Sequence, residues 1–439
     1  MTNTIHIAYA LDDAFLEYTC VSAVSLLANT KRNVCFHILE SRLSDEGKEK
    51  LRLSSGNRRD VEWQFHHINQ NEIGFSTHNV SITDETYYRL ALPDICAKLD
   101  KVLYIDGDTI VNRDIAELYD TELDEYMAAA AYEDSPYSID PIRRDILEFG
   151  EEDRYFQAGV LLINLKLCRS SNLYNNAVSC VIELRNKFIE NGVYWMDDQD
   201  VLNYLLKGKI KYLPPKYNFC LYNRMGIIGD NFYCVREWAE AMNNFVILHN
   251  CGRSKPVIRG REAIWNPHYE LYYKYKNISP VKDDKDIKRI SEYKKSEASL
   301  ESGIVLNSID YINFNKFKTI EYACEVVKKE IGNRKLIIWG NTENVRLLIV
   351  MFAHAGLSVN GIVDGLVKNE GKRVFDHLIE SPNFLYGKSK EYFVVTSMIQ
   401  MQVFNRVRNV LSDYGYEDSD TYYVFEKSHH SLSDCVIKK

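Results

Sequence analysis

Short apolar runs and amphipathic stretches take turns along the first hundred residues, and their alternation predicts a β/α rhythm. Ile5–Leu11 is apolar and closes on Asp12-Asp13, which reads as a buried strand of a parallel sheet. Tyr18–Asn29 has helical spacing, with Val21, Val24, Ser25, Leu27 and Ala28 on one face. Val34–Leu39 reads as a second strand. Ser44–Leu53 reads as a charged helix with Ser44 as its cap and Gly47 at the capping-box position. Val61–Ile68 alternates like a strand, and Asp84–Leu92 reads as a helix stopped by Pro93. Lys101–Ile105 is then a strand with Asp106-Gly107-Asp108 at its carboxyl end. This succession predicts a doubly wound parallel sheet in an α/β domain.

The pattern continues less regularly. Ala128–Ala131, Ala158–Asn164 and Phe245–His249 read as strands, and Asn175–Asn191 and Asp200–Lys207 as helices. The domain is expected to close near Tyr273. Residues 274–303 mix Lys, Asp, Glu and Ser with alternating charge, which suits a solvated linker or an exposed helix. A second α/β rhythm follows: Lys335–Trp339, Thr342–Ala355, Val359–Val363 ending on Asp364, Tyr392–Thr396, Ile399–Tyr414 and Tyr422–Phe425. The expected organisation is therefore a domain at 1–273, a charged linker at 274–303 and a smaller Rossmann-like domain at 304–439. No period of 20–50 residues is visible, which excludes a solenoid.

Composition narrows the classes. The chain has 439 residues, of which 46% are apolar, enough for full cores in two or three domains. A net charge of -8 argues against nucleic acid as the main partner. Ten cysteines are scattered without a C-x-x-C pair, so zinc ribbons and dithiol redox chemistry are not expected, and free thiols in a reducing compartment are. The N-terminal residues lack the layout of a signal peptide, and the longest apolar runs fall short of a bilayer span. A cytoplasmic protein is expected, with peripheral contact at the inner face of a membrane left open.

The candidate chemistry sits at strand ends. Asp106 and Asp108 lie two apart beyond a predicted strand, where open α/β sheets bind ligands, and Gly107 between them lets backbone approach closely. Taken alone, Asp-x-Asp reads more readily as a solvated turn than as a site. His249 ends another predicted strand and opens H-x-x-G-x-x-K-P, with Gly252, Lys255 and Pro256. Two carboxylates and an imidazole suit a divalent cation, and a lysine beside them suits a diphosphate. The competing reading of His249 is a polar core residue.

Taken together, AYALDDAFLEYTCVSAVSLL, TYYRLALPDI, DKVLYIDGDTIVNRDI, YFQAGVLLINLKLCR, DDQDVLNYLLKGKIKYLPPKYN and HNCGRSKP resemble glycosyltransferase family 8 in content and order, over residues 4–270. The resemblance implies a GT-A type domain and a retaining transfer of a hexose, galactose or glucose, from a UDP-sugar donor. The acceptor would be a saccharide or glycolipid in lipopolysaccharide or surface polysaccharide synthesis. It implies that Asp106, Asp108 and His249 hold Mn²⁺, with Mg²⁺ as the alternative ion. Asp12 and Phe15 would meet the uridine, Lys255 the diphosphate, and Arg89 the diphosphate or the donor sugar. Gly107, Gly252, Asp134 and Gln157 would line the donor, with Glu133 a rival to Asp134. Asp198 and Gln199 would lie beneath the anomeric carbon. The chain departs from the family pattern at Ala14, Gln157 and Val257. Retention could proceed by double displacement or by front-face attack; Gln199 is a poor nucleophile and favours the latter.

In the C-terminal region the dinucleotide fingerprint is broken. Gly340-Asn341-Thr342-Glu343 keeps only the first glycine and adds a carboxylate where phosphate would lie. A docking or oligomerisation role is expected there. Two rival functions remain: a sugar-nucleotide pyrophosphorylase and a non-catalytic sugar-binding protein. The first would need a Gly-rich basic loop after the first strand, and residues 10–20 contain no Gly, Lys or Arg.

Overall fold

The computed structural model describes residues 4–69, 84–220, 232–252, 255–256, 268–286, 288–291, 294–295, 308–340, 343–399 and 401–425. The chain divides into two compact units. The first comprises Met1–Cys220, Asn244–Ile258 and Pro267–Asp286, and the second comprises Leu221–Asn243, Arg259–Asn266 and Ile287–Lys439.

The first unit is built on a seven-stranded sheet. Its strands are β1 (Thr4–Ala10), β2 (Asn33–Glu40), β3 (Val61–His67), β4 (Lys101–Ile105), β6 (Ala128–Tyr132), β7 (Phe156–Asn164) and β8 (Ile210–Leu213), in the order β3-β2-β1-β4-β7-β6-β8. Strands β3, β2, β1 and β4 run parallel, but β7 runs antiparallel to both β4 and β6. The parallel arrangement expected from the N-terminal rhythm is thus present in β1 to β4, and β7 makes the sheet as a whole mixed. Both faces are covered, so β1 sends Ile5, Ile7 and Tyr9 into one core and Ala8 into the other. Strand order reverses at β1, between β2 and β4, and the carboxyl end of β4 opens at that reversal.

Two local expectations are also corrected. Helix α1 (Leu16–Asn29) is buried on nearly every side from Thr19 to Leu27, whereas Ala28, placed on its apolar face, is exposed. Asp84–Ala91 is helical as read, in the tighter 3-10 form, but Pro93 sits in the first turn of the short helix Leu92–Ile95 instead of ending a helix. A proline near a helix start lacks only an N–H that has no partner there anyway. Helix α2 (Asp45–Leu53) follows its sequence reading, with the Ser44 side chain accepting from Gly47 N.

The boundary expected at Tyr273 falls inside a helix, Tyr269–Lys276. Lys276 is fully buried and pairs with Glu17 at 2.7 Å and Asp286 at 2.8 Å, so the start of the charged stretch is core of the first unit rather than solvated linker. The second unit has a six-stranded sheet of β10 (Lys335–Trp339), β11 (Val359–Val363), β12 (Arg373–Val374), β13 (His377–Glu380), β14 (Tyr392–Ile399) and β15 (Thr421–Phe425), in the order β12-β13-β11-β10-β14-β15. All neighbours are parallel except β12 and β13. The sequence reading missed β12, β13 and the helix Ser308–Glu330. Gly340 has φ +131, and a Cβ there would lie 2.1 Å from Ser397 Oγ, so its glycine answers a packing need.

Candidate active site

A small antiparallel ribbon assembles the site. β5 (Thr109–Val111) pairs with β9 (Ile247–His249), placing Thr109 opposite His249. Asp106 and Asp108 lead into β5, so the ribbon brings a histidine some 140 residues away onto the two carboxylates. His249 Nε2 lies 3.2 Å from Asp108 Oδ1 and 3.8 Å from Asp106 Oδ2. Donor atoms of the three residues all lie within 4.8 Å of one another.

The imidazole is oriented from behind. His249 Nδ1 donates to Asn218 Oδ1 at 2.9 Å, which leaves Nε2 facing the carboxylates. Asn218 Nδ2 in turn donates to Gln157 Oε1 at 2.5 Å, and Gly159 N donates to the same oxygen at 2.6 Å. Gln157, expected to meet the donor sugar, is therefore placed here as the residue that sets Asn218. Gly159 leaves the space the site occupies: a Cβ there would lie 2.3 Å from His249 Cε1 and 2.7 Å from Asp106 Oδ2. The sequence reading did not single out Asn218 or Gly159 for this role, although both stand inside its quoted blocks.

Charge is tightly balanced. Burial works against ionised Asp108, but Lys255 at 3.0 Å and then His249 hold its carboxyl well below the usual range. Burial likewise opposes a charged His249, yet Asp108 foremost raises it to about 9. The two carboxylates thus make the pocket favour positive charge. Two carboxylates with one imidazole, held in the tautomer that frees Nε2, form a donor set suited to Mn²⁺ or Mg²⁺. Such an ion would neutralise the phosphate oxygens of a leaving diphosphate.

Arg89 is a strut. It is 5% exposed, and it donates to Asp106 Oδ1 at 2.9 Å, Ala158 O at 2.6 Å and Thr86 O at 2.9 Å. Its Nε also pairs with Asp198 Oδ2 at 3.1 Å. It therefore ties one carboxylate of the candidate metal site to the candidate catalytic carboxylate. Tyr104 donates to Asp106 Oδ1 at 2.9 Å, and Thr86 Oγ1 to Asp198 Oδ1 at 2.5 Å. Asp198 begins the helix Asp198–Leu205, and burial above all lifts its carboxyl to about 6 against the pull of Arg89. Gln199 Oε1 accepts from Ala158 N at 2.9 Å.

Other expected residues are placed nearby or nearly so. Phe15 lies under Lys255, whose Nζ is 5.0 Å from the ring centroid. Asp12 Oδ1 accepts from Ala14 N and Phe15 N, and so shapes the turn that presents Phe15. Gly107 approaches α1 closely, since a Cβ would lie 2.4 Å from Thr19 Oγ1. Gly252 has φ +66, a conformation glycine adopts readily. Asp134 is half-buried and its rival Glu133 fully buried. The Val257 departure lies outside the described residues.

Comparison with known proteins agrees with this geometry. A family model for glycosyl transferase family 8 matches residues 6–256, which contain every residue of the site. The chain is 28% identical to a lipopolysaccharide 1,2-glucosyltransferase of Escherichia coli (strain K12), across 66% of this chain and 83% of that protein. It is 28% identical to a lipopolysaccharide 1,3-galactosyltransferase of Salmonella typhimurium, across 48% of this chain and 63% of that one. Its structure is similar to that of the galactosyltransferase LgtC in complex with donor and acceptor sugar analogues. The TM-score is 0.53 at 26% identity, covering 65% of this chain and all of that one.

Proposed function

Because the chain belongs to glycosyl transferase family 8, we propose that its first unit, a GT-A type fold, is a Mn²⁺-dependent retaining hexosyltransferase that uses a UDP-sugar. The observation that carries this reading is the convergence of Asp106, Asp108 and His249 beside Lys255 and Phe15. Asp106, Asp108 and His249 would hold the ion, which offsets charge on the departing UDP. Lys255 adds a point charge for the diphosphate, and Phe15 offers a ring to the base. Gly107, Gly252 and Asp134 line the donor in this reading, and Gln157 acts on it through Asn218. Galactose or glucose is the favoured hexose, because the similar lipopolysaccharide enzymes are glucosyl- and galactosyltransferases. The acceptor would be a saccharide or glycolipid, reached from the cytoplasmic side of a membrane; no helix among the described residues is long and apolar enough to cross one. Front-face attack fits Gln199, an amide whose oxygen already accepts from Ala158 N. Asp198, paired with Arg89, lends negative charge beneath the oxocarbenium-like centre. The second unit, read as a Rossmann-like accessory module, serves docking or assembly.

The test is UDP release by the full chain from a panel of UDP-sugars, with Mn²⁺ and with EDTA. We expect release from UDP-galactose or UDP-glucose that EDTA silences and Mn²⁺ restores, and that Asp108→Asn abolishes. NMR of the product should show an α anomeric proton. EDTA-insensitive turnover would overturn the metal assignment, and a β product the retaining one.

A further inference from the structure

Three histidines cross the β1–β3 edge of the first sheet in a row. His6 Nδ1 lies 3.0 Å from His37 Nε2, and His37 Nδ1 lies 3.1 Å from His66 Nε2. The parallel register explains the row: His6 faces Cys35, Ala8 faces His37 and Leu39 faces His66, so the side chains share one face. Cys35 joins them from the same strand as His37 and is 1% exposed, as His37 is 3% exposed. Donor atoms of His6, Cys35 and His37 all lie within 4.8 Å of one another. None of these residues belongs to the site described above.

We propose that His6, Cys35 and His37 form a second metal site, selective for a borderline-soft d¹⁰ cation, Zn²⁺. Its donors are one sulfur and two nitrogens, in contrast to the two carboxylates and one imidazole at Asp106, Asp108 and His249. Thiolate and imidazole suit Zn²⁺, whereas carboxylates suit Mn²⁺ and Mg²⁺. One unit would thus hold two ions sorted by donor chemistry. The contact between His6 Nδ1 and His37 Nε2 is already close to the separation of two ligands on one tetrahedral ion. Binding exchanges protons in a balanced way. The proton between those two nitrogens moves to His6 Nε2, the Cys35 thiol loses one proton to solvent, and the metal takes the three freed lone pairs. Water fills the fourth position.

One further contact supports the assignment. His66 stands behind His37 with its Nε2 3.1 Å from His37 Nδ1, where it would accept from that nitrogen once His37 Nε2 ligates, the arrangement that fixes a ligating imidazole. His66 is thus a positioning residue. A second grouping, His37 with His66 and Cys96, is available on the other side of His37. It lacks that support, because it would use up the His37 nitrogen that His66 orients. Bound metal would cross-link β1 and β2 at the edge half of the sheet.

The test uses the full chain, reduced and stripped by chelator, with excess Mg²⁺ present to occupy the carboxylate site. Co²⁺ is added and the thiolate-to-cobalt charge-transfer band is read; Zn²⁺ is then titrated in to displace it. We expect a band removed by one equivalent of Zn²⁺ per chain, lost in Cys35→Ser and retained in Cys96→Ser and Cys251→Ser. His66→Gln should keep the band but weaken Zn²⁺ by about 10–100-fold. Circular dichroism establishes that each variant is folded, and half-buried His6→Gln, which should also lose Zn²⁺, serves if Cys35→Ser is not. A wild-type chain with no band, a band that survives Cys35→Ser or His6→Gln in folded protein, or a band that follows Cys96, overturns the proposal.

Discussion

At position 159 an absent side chain keeps the catalytic pocket open. The two nearest neighbours of a Cβ there, His249 and Asp106, are both proposed metal ligands. Gly159→Ala must therefore displace the ligands themselves. A shift near one ångström in such a group costs about 100-fold in rate. We expect UDP release to fall by that order, and the thermal shift induced by Mn²⁺ to vanish, while the melting point without metal changes little. An alanine variant that still binds Mn²⁺ would remove Gly159 from this role. Gly107→Ala makes the contrast, because its obstacle is Thr19 Oγ1 of α1. Its cost should appear as stability, about 1–3 kcal/mol by urea denaturation, and should shrink in the Thr19→Ala background. A sequence shows glycines but not what crowds them. Asp106, Asp108 and His249 were legible as strand-end donors, but the chain Gln157–Asn218–His249 was not, because it forms only when three distant segments meet.

Asp198 carries a pH signature at the same scale. Its carboxyl is lifted to about 6, by burial first, with Arg89 and Thr86 working the other way. A carboxyl raised in the folded state binds more protons there than in the unfolded chain between its ordinary value and about 6. Its contribution therefore lowers stability as pH rises through that window. Activity runs oppositely. Below about pH 6 the neutral acid no longer pairs with Arg89, which also holds Asp106. We expect an acid limb near 6 in kcat at saturating Mn²⁺, absent from the residual activity of Asp198→Asn. If the variant keeps the same limb, another group titrates there.

At the element scale, periodicity located most strands to within two residues but did not give the direction of β7. Strand β7 was found from its apolar run, Ala158–Asn164, yet a buried run looks the same in either direction. The stretch Asp84–Ala91 was read as a helix without its 3-10 form, because the apolar spacings of the two helix types are close, and Glu85, Tyr87, Tyr88 and Arg89 are all buried there. The helix Asp198–Leu205 depends on a tie that no local pattern signals. Arg143, 1% exposed, pairs with Asp200 and donates to Tyr194 O; Tyr155 OH and Met196 N also donate to Asp200, at 2.8 and 2.7 Å. This network fixes the turn that leads into Asp198 and Gln199, where Asp197 takes φ 48. Arg143→Met leaves Asp200 buried without its cation, and should cost about 3–5 kcal/mol in urea denaturation. Replacing Asp200 by Leu in the same chain should recover part of that loss, and no recovery would mean Arg143 acts through packing alone.

At the scale of the whole molecule, the division into two units cuts across the linear order of the sequence. Residues 274–303 looked like a solvated boundary because their charges alternate, but composition cannot reveal that Lys276 is buried between Glu17 and Asp286. A chain stopped at 275 loses that cation and leaves the Glu17 carboxylate, which also accepts from Tyr272 OH at 3.0 Å, without it. A chain stopped after Asp286 keeps the whole network, all seven strands of the first sheet and the ribbon that carries His249. It still contains Leu221–Asn243, which groups with the second unit and includes buried Trp238 and Ala241. We therefore expect 1–286 to be less soluble than the full chain yet to retain a Mn²⁺-induced thermal shift and slow UDP-sugar hydrolysis. The 1–275 chain should melt several degrees lower, since losing a buried, paired charge costs about 3–5 kcal/mol. Differential scanning fluorimetry with and without Mn²⁺ separates the two. Equal melting points would show that the Lys276 network does not hold the first unit together. A folded 1–286 that binds Mn²⁺ but releases no UDP would mean that the second unit contributes to the donor site.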